Sequence, residues 1–105
     1  MLTSKQRAYL RGLANALEPV LTVGKEGVTE NLVTQADGVL EKRELIKGRV
    51  LENSLLSARE AADQISEATR CEVVQVIGSK FVLFRIQPNK DKRKIELPKT
   101  TKKKA

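Results

Sequence analysis

Pro19-Val20-Leu21-Thr22-Val23-Gly24-Lys25-Glu26-Gly27-Val28-Thr29-Glu30-Asn31-Leu32 reads as a short apolar strand, a turn with a glycine at each end, and the opening of a helix. A strand that feeds directly into a helix is the building unit of an α/β sheet. Gly24 and Gly27 leave the turn without a Cβ at either end, so φ > 0 is available and another chain's backbone can approach closely. A helix starting at about Thr29 points its free N–H groups and positive dipole end toward that turn, which suits a phosphate. Lys25 adds a mobile cation at the tip. Glycines in such a turn are equally explained by the turn alone, so the rest of the chain must decide what the loop is for.

Upstream, Thr3 with Gln6 fits a capping box, and Leu10, Leu13, Ala14 and Leu17 fall on one helical stripe, predicting a helix over residues 3–17. Pro19 stops it, because the residue before a proline is pushed out of the α region. Arg7 and Arg11 stand four apart on one flank of the stripe.

Downstream, Leu32, Ala36, Val39 and Leu40 mark a second helix from Thr29 to about Glu41, which Gly38 weakens by roughly 1 kcal/mol relative to alanine. Residues 44–51 alternate, with Ile46, Gly48 and Val50 on one face and Lys47 and Arg49 on the other, as in a strand with one buried and one wet side. Gly48 is unusual inside a strand and marks either a bulge or a close packing contact. Residues 54–69 form a third helix with a narrow face of Ala58, Ala61, Ala62, Ile65 and Ala68, and Ser57 with Glu60 is a second capping-box pair. Residues 72–78 and 80–86 are strands joined by a hairpin at Gly78-Ser79-Lys80.

The expected fold is therefore α/β, in the order α-β-α-β-α-β-β, a two-layer α-β domain with a mixed four-stranded sheet. Its first three strands are parallel and the last antiparallel. The wet side at Lys47 and Arg49 predicts a sheet covered on one face only. Residues 1–89 are expected to form the domain and residues 90–105 a basic, largely flexible tail, in which Ile95-Glu96-Leu97-Pro98 is the one stretch apolar enough to dock back.

The net charge of +7 is unevenly placed. Residues 90–105 hold eight Lys/Arg against two acids, whereas residues 1–89 hold twelve against eleven. Any basic surface on the body must come from segregation of signs, and the tail is a non-specific, salt-sensitive tether. No run of apolar residues is long enough to span a bilayer and no secretory signal opens the chain. The single cysteine, Cys71, heads an apolar run and fits a reducing cytoplasm, where it is expected to be a buried small hydrophobe.

Read together, these residues resemble the YhbY-type, or CRM-domain, family of small RNA-binding proteins. The resemblance runs through Leu2-Thr3, Gln6-Arg7, Tyr9-Leu10-Arg11, Pro19-Val20, Val23 to Thr29 and Glu44-Leu45-Ile46-Lys47. It continues through Val74 to Gly78, Leu83-Phe84-Arg85 and Ile95-Glu96-Leu97-Pro98. It implies a fold similar to the C-terminal domain of bacterial translation initiation factor three and a role in pre-ribosome maturation. It also implies RNA contacts from the GxxG loop (Gly24, Lys25, Glu26, Gly27), the helix arginines Arg7 and Arg11, and the strand cation Lys47, to which its neighbour Arg49 is added from the alternation. Three positions depart from the family pattern. Gly48 replaces a β-branched residue and is expected to loosen its strand; Phe84 replaces a tyrosine and Asn15 a histidine, removing two polar groups.

The resulting expectation is an RNA-binding protein acting on precursor ribosomal RNA or the immature large ribosomal subunit, cytoplasmic, monomeric, and free of cofactor, metal or membrane. With Tyr9, Phe81 and Phe84 as its only aromatics, base stacking is disfavoured, and recognition rests on backbone and shape. Four to six phosphate contacts predict a log–log salt slope of roughly −3 to −5. Solvated helix flanks and a soluble sheet face explain the same cations, and Arg85 is a candidate partner for Glu72. The competing reading is a protein-docking, ribosome-associated factor whose tail supplies only non-specific RNA affinity. Catalysis is disfavoured: the chain has no histidine and no metal-ligand spacing, and Gly24–Gly27 lacks the Gly-Lys-Ser/Thr ending of a nucleotide-binding P-loop.

Overall fold

A computed structural model describes residues 2–89, 91, 93, 95 and 97. The elements are α1 (Ser4–Ala14), β1 (Pro19–Val23), α2 (Glu30–Arg43), β2 (Leu45–Val50), α3 (Ala58–Thr69), β3 (Glu72–Ile77) and β4 (Lys80–Phe84), in the expected order. Both capping boxes form. Thr3 and Gln6 exchange side chain–backbone hydrogen bonds of 3.0 Å, and Ser57 and Glu60 exchange bonds of 3.1 and 2.9 Å. The second box starts α3 at Ala58 rather than at Ser54. Helix α1 ends three residues early, at Ala14, because the N–H groups of Asn15, Ala16 and Leu17 turn to the carbonyls of Gly12, Leu13 and Ala14 and tighten the last turn.

The sheet order is β1-β2-β4-β3. β1 and β2 are parallel, and β4 runs antiparallel to both of its neighbours, so β1, β2 and β3 share one direction as expected. The Gly78-Ser79 turn joins β3 to β4, with Gly78 at φ +58°, the left-handed geometry of a tight hairpin.

Helices α2 and α3 cover one face, burying Leu32, Ala36, Leu40, Ala61 and Ile65 against Leu21, Val23, Ile46, Phe81 and Leu83. The second face is not bare, and this corrects the expectation of one-sided cover. There α1 lays Leu10 and Ala14 over Leu45, Val74, Val82 and Phe84, with Leu17, Ile95 and Leu97 packed alongside. The reason lies in β4, where Phe81 and Leu83 face one way and Val82 and Phe84 the other. Each large apolar side chain left in water costs about 1.5–3 kcal/mol, so both faces of that strand need a lid. What stays open is the part of the second face that carries Lys47 and Arg49.

Gly48 does not interrupt the pairing of β2 with β4, whose register runs unbroken from Leu45↔Phe84 to Arg49↔Lys80, while toward β1 the register shifts between Pro19↔Lys47 and Leu21↔Gly48. It is a packing contact. Glu44, between α2 and β2, is buried at φ 66°, and its carboxylate accepts the N–H groups of Gln87 and Ile95, each at 2.9 Å. That carboxylate holds the chain beyond β4 against the body. Most of the tail expected to be flexible, residues 90, 92, 94, 96 and 98–105, lies outside the described residues.

Candidate nucleic-acid interface

The turn after β1 is closed by the Gly27 N–H donating to the Gly24 carbonyl at 3.0 Å, with Gly27 at φ +73°. Thr29 then caps α2, its hydroxyl oxygen accepting from the Leu32 N–H at 3.1 Å, so the helix starts one residue later than expected. One of its free donors is thereby satisfied, and Glu30 in the first turn already complements the dipole. The helix end alone is therefore a weaker anion site than the sequence promised. The loop itself projects. Lys25 and Glu26 are exposed, and Lys25 has no ion pair among the described residues.

Open grooves flank the loop. The wider, about 410 Å³, lies toward Thr22, Asn31 and Gln35. The narrower, about 270 Å³, lies toward Leu55, Leu56 and Gln64. Leu55 is 94% exposed there; the sequence reading places it in the third helix, whereas it lies in the connection before α3.

The predicted cations divide into two groups. Lys47 is half-buried and Arg49 exposed, both on the sheet face opposite Gly48 and Phe81, and neither has an ion pair among the described residues. Arg49 is in register with Thr22, which also lines the wider groove, so this face is continuous with the loop. Arg11, one turn beyond Arg7 on α1, has no ion pair among the described residues. On the helical wheel Arg7 and Arg11 occupy one flank of the Leu10–Ala14 stripe and Gln6 the other.

Arg7 does not belong with them. Its guanidinium donates to the Val73 carbonyl and lies 3.9 Å from Glu72, at the start of the edge strand β3. The loop follows the end of β1, at the opposite edge and opposite end of the sheet. Arg7 is thus not beside the loop, because α1 begins over β3 and crosses toward β2.

Arg85 is likewise engaged, but not with Glu72. It pairs with Asp37 at 2.6 Å and Glu41 at 3.6 Å, and donates to the Thr69 carbonyl at 2.9 Å, tying α2 to the end of α3. Phe81 and Phe84 are buried, which removes them as stacking platforms. Cys71 is buried as well, and desolvation raises its thiol pKa. No group of three or more acids, cysteines or histidines that could hold a metal occurs among the described residues, and no helix among them is long and apolar enough to cross a membrane. What this surface offers chemically is a set of cations and backbone amides for anions.

Comparison with known proteins points the same way. Residues 2–85 match the CRS1 / YhbY (CRM) domain. The chain is 41% identical over 98 residues to the Probable RNA-binding protein YqeI of Bacillus subtilis, covering 93% of this chain and all of that one. It is 35% identical to an RNA-binding protein of Haemophilus influenzae, over 93% of this chain and 96% of the other. The solution structure of SAV1595 from Staphylococcus aureus, 49% identical, shares the fold with a TM-score of 0.75 over 93% of this chain and the whole of its own.

Proposed function

The chain belongs to the CRS1 / YhbY (CRM) domain family, and from that premise we propose that it binds RNA through the Gly24–Gly27 loop and the sheet face beside it. Lys25 and the loop amides hold one phosphate. Arg11, Lys47 and Arg49 neutralise its neighbours. The target is precursor ribosomal RNA or the immature large subunit, in the cytoplasm, and the protein acts as a monomeric assembly factor without catalysis. The observation that carries the reading is that Lys25, Lys47 and Arg49 have no acidic partners among the described residues and that Arg49 stands in register with Thr22, just before a turn that a backbone can approach. The relatives named as RNA-binding proteins support RNA as the ligand. Arg7, occupied by Val73 and Glu72, is left to orient α1.

Titration of a precursor ribosomal RNA fragment between 50 and 200 mM salt tests this. Four cations predict a log–log slope of roughly −3 to −4, and Lys25→Glu weakens binding about tenfold. An affinity that does not change with salt overturns it. Exposed Leu55 beside the loop favours a second reading, docking on a ribosomal protein. If removal of residues 90–105 abolishes RNA binding while Lys25→Glu has no effect, that reading replaces the first.

A further inference from the structure

Arg49 and Lys80 stand directly opposite each other on β2 and β4. The Val50 N–H donates to the Ser79 carbonyl at 2.8 Å, which makes the pair a non-hydrogen-bonded one, the kind whose side chains come closest. Like charges in that position destabilise a sheet. Both are exposed, and neither has an ion pair among the described residues. Lys47 lies on the same face, in register with Val82 and therefore diagonal to Lys80. Three cations thus converge on one patch with no acid to hold them together, a local conflict that an anion resolves.

The patch has a direction. Pairing places Thr22, Arg49, Lys80 and Ile77 in one row across all four strands. At about 4.8 Å between strands, the row carries the surface from Thr22 to Lys80 in about 10 Å. Thr22 is at the same time a wall of the groove under Gly24–Gly27. Helix α1 covers the other end of this face, over Leu45 and Phe84, and leaves the row open.

We propose that Arg49 and Lys80 together bind one phosphodiester group of the RNA strand gripped by the Gly24–Gly27 loop, so that the strand leaves the loop over Thr22 and crosses the sheet rather than following α2. Lys80 is the new member of the site. The inference rests on the RNA-binding reading above, and its ligand is RNA because the row meets the loop's groove at Thr22 and its facing cations have no acidic partner among the described residues.

Charge substitutions at position 80 test it, because affinity and stability should move in opposite directions. Lys80→Gln is expected to reduce the salt slope by about one and to weaken RNA binding roughly three- to tenfold at low salt. Lys80→Glu should weaken binding further while raising the melting temperature, since it places a carboxylate opposite Arg49. If Lys25→Glu weakens binding but Lys80→Gln leaves affinity and slope unchanged, the strand does not cross the sheet and this inference alone falls. If the wild-type protein shows no salt-dependent RNA binding, the RNA reading falls first. If polyglutamate binds as tightly as RNA and that binding is lost in Lys80→Gln, the patch serves an acidic protein instead.

Discussion

The ring of Phe81 fills the space in which a side chain at position 48 would stand: a Cβ on Gly48 would lie 2.4 Å from Phe81 Cζ and 2.5 Å from Cε1. The two residues face each other in register on β2 and β4, so the ring lies over glycine backbone in the centre of the sheet. Gly48→Ala is therefore expected to destabilise the fold by about 1–3 kcal/mol through overpacking, and Phe81→Ala by about 3–5 kcal/mol through the cavity it leaves. Combining Gly48→Ala with Phe81→Leu should cost less than the sum of Gly48→Ala and Phe81→Leu made singly. Chemical denaturation of the wild type, the single variants Gly48→Ala, Phe81→Ala and Phe81→Leu, and the double variant measures this.

The two glycines of the loop should behave differently. Gly27 sits at φ +73° with its added Cβ 3.4 Å from Leu56 Cδ1, so Gly27→Ala costs roughly 1–2 kcal/mol of stability. A Cβ on Gly24 meets only Leu51 Cδ1 at 3.9 Å, ordinary contact, so Gly24→Ala should leave stability within about 0.5 kcal/mol. If a phosphate approaches that backbone, Gly24→Ala nevertheless weakens RNA binding. Paired melting and binding measurements separate the two effects, and full RNA affinity in Gly24→Ala would show that nothing approaches the turn there.

Glu44 sets the position of the chain after β4. Replacing it with alanine leaves the Gln87 and Ile95 N–H groups without their acceptor in a buried setting, a loss of roughly 2–4 kcal/mol. Glu44→Gln keeps one acceptor oxygen and should lose less. Amide exchange is the sharper readout: protection at residues 87 and 95 should fall in Glu44→Ala, while that of Leu83 in the sheet centre changes only with global stability.

Burial pushes the Cys71 thiol above its ordinary value, against weaker opposing pulls from Thr69, Ser66 and Arg85. As pH rises, the unfolded chain gives up this proton before the folded one does. The group's contribution to stability is therefore fully present at neutral pH and is lost in alkali, above the ordinary thiol range of about 8.5. Native protein at pH 8 should react with a thiol reagent on the order of 100-fold more slowly than the unfolded chain. Equal rates would place Cys71 at the surface.

Much of this molecule is local and hence readable along the chain. The capping boxes at Thr3–Gln6 and Ser57–Glu60 act within four residues, Pro19 opens a strand, and Gly78-Ser79 makes a hairpin by its own geometry. The inward and outward alternation of Ile46, Lys47, Gly48 and Arg49 follows from the pleat. The partners of Arg7 and Arg85 do not follow from anything local. Long, flexible cations take whichever carboxylate or carbonyl the fold brings within reach, and Glu72 went to Arg7 while Arg85 found Asp37 and Glu41.

By itself, the order of residues determined the seven elements, their sequence along the chain, the glycine turn and the concentration of charge near the C-terminal end. These depend on spacing, backbone freedom and composition, which need no knowledge of distant neighbours. Only the tertiary structure decided that β4 enters between β2 and β3, that α1 lies on the second face, and that Lys80 meets Arg49 while Arg7 stays away from the loop. Strand order and register arise from burying both faces of β4 at once, a condition on residues far apart in the chain that no single segment carries.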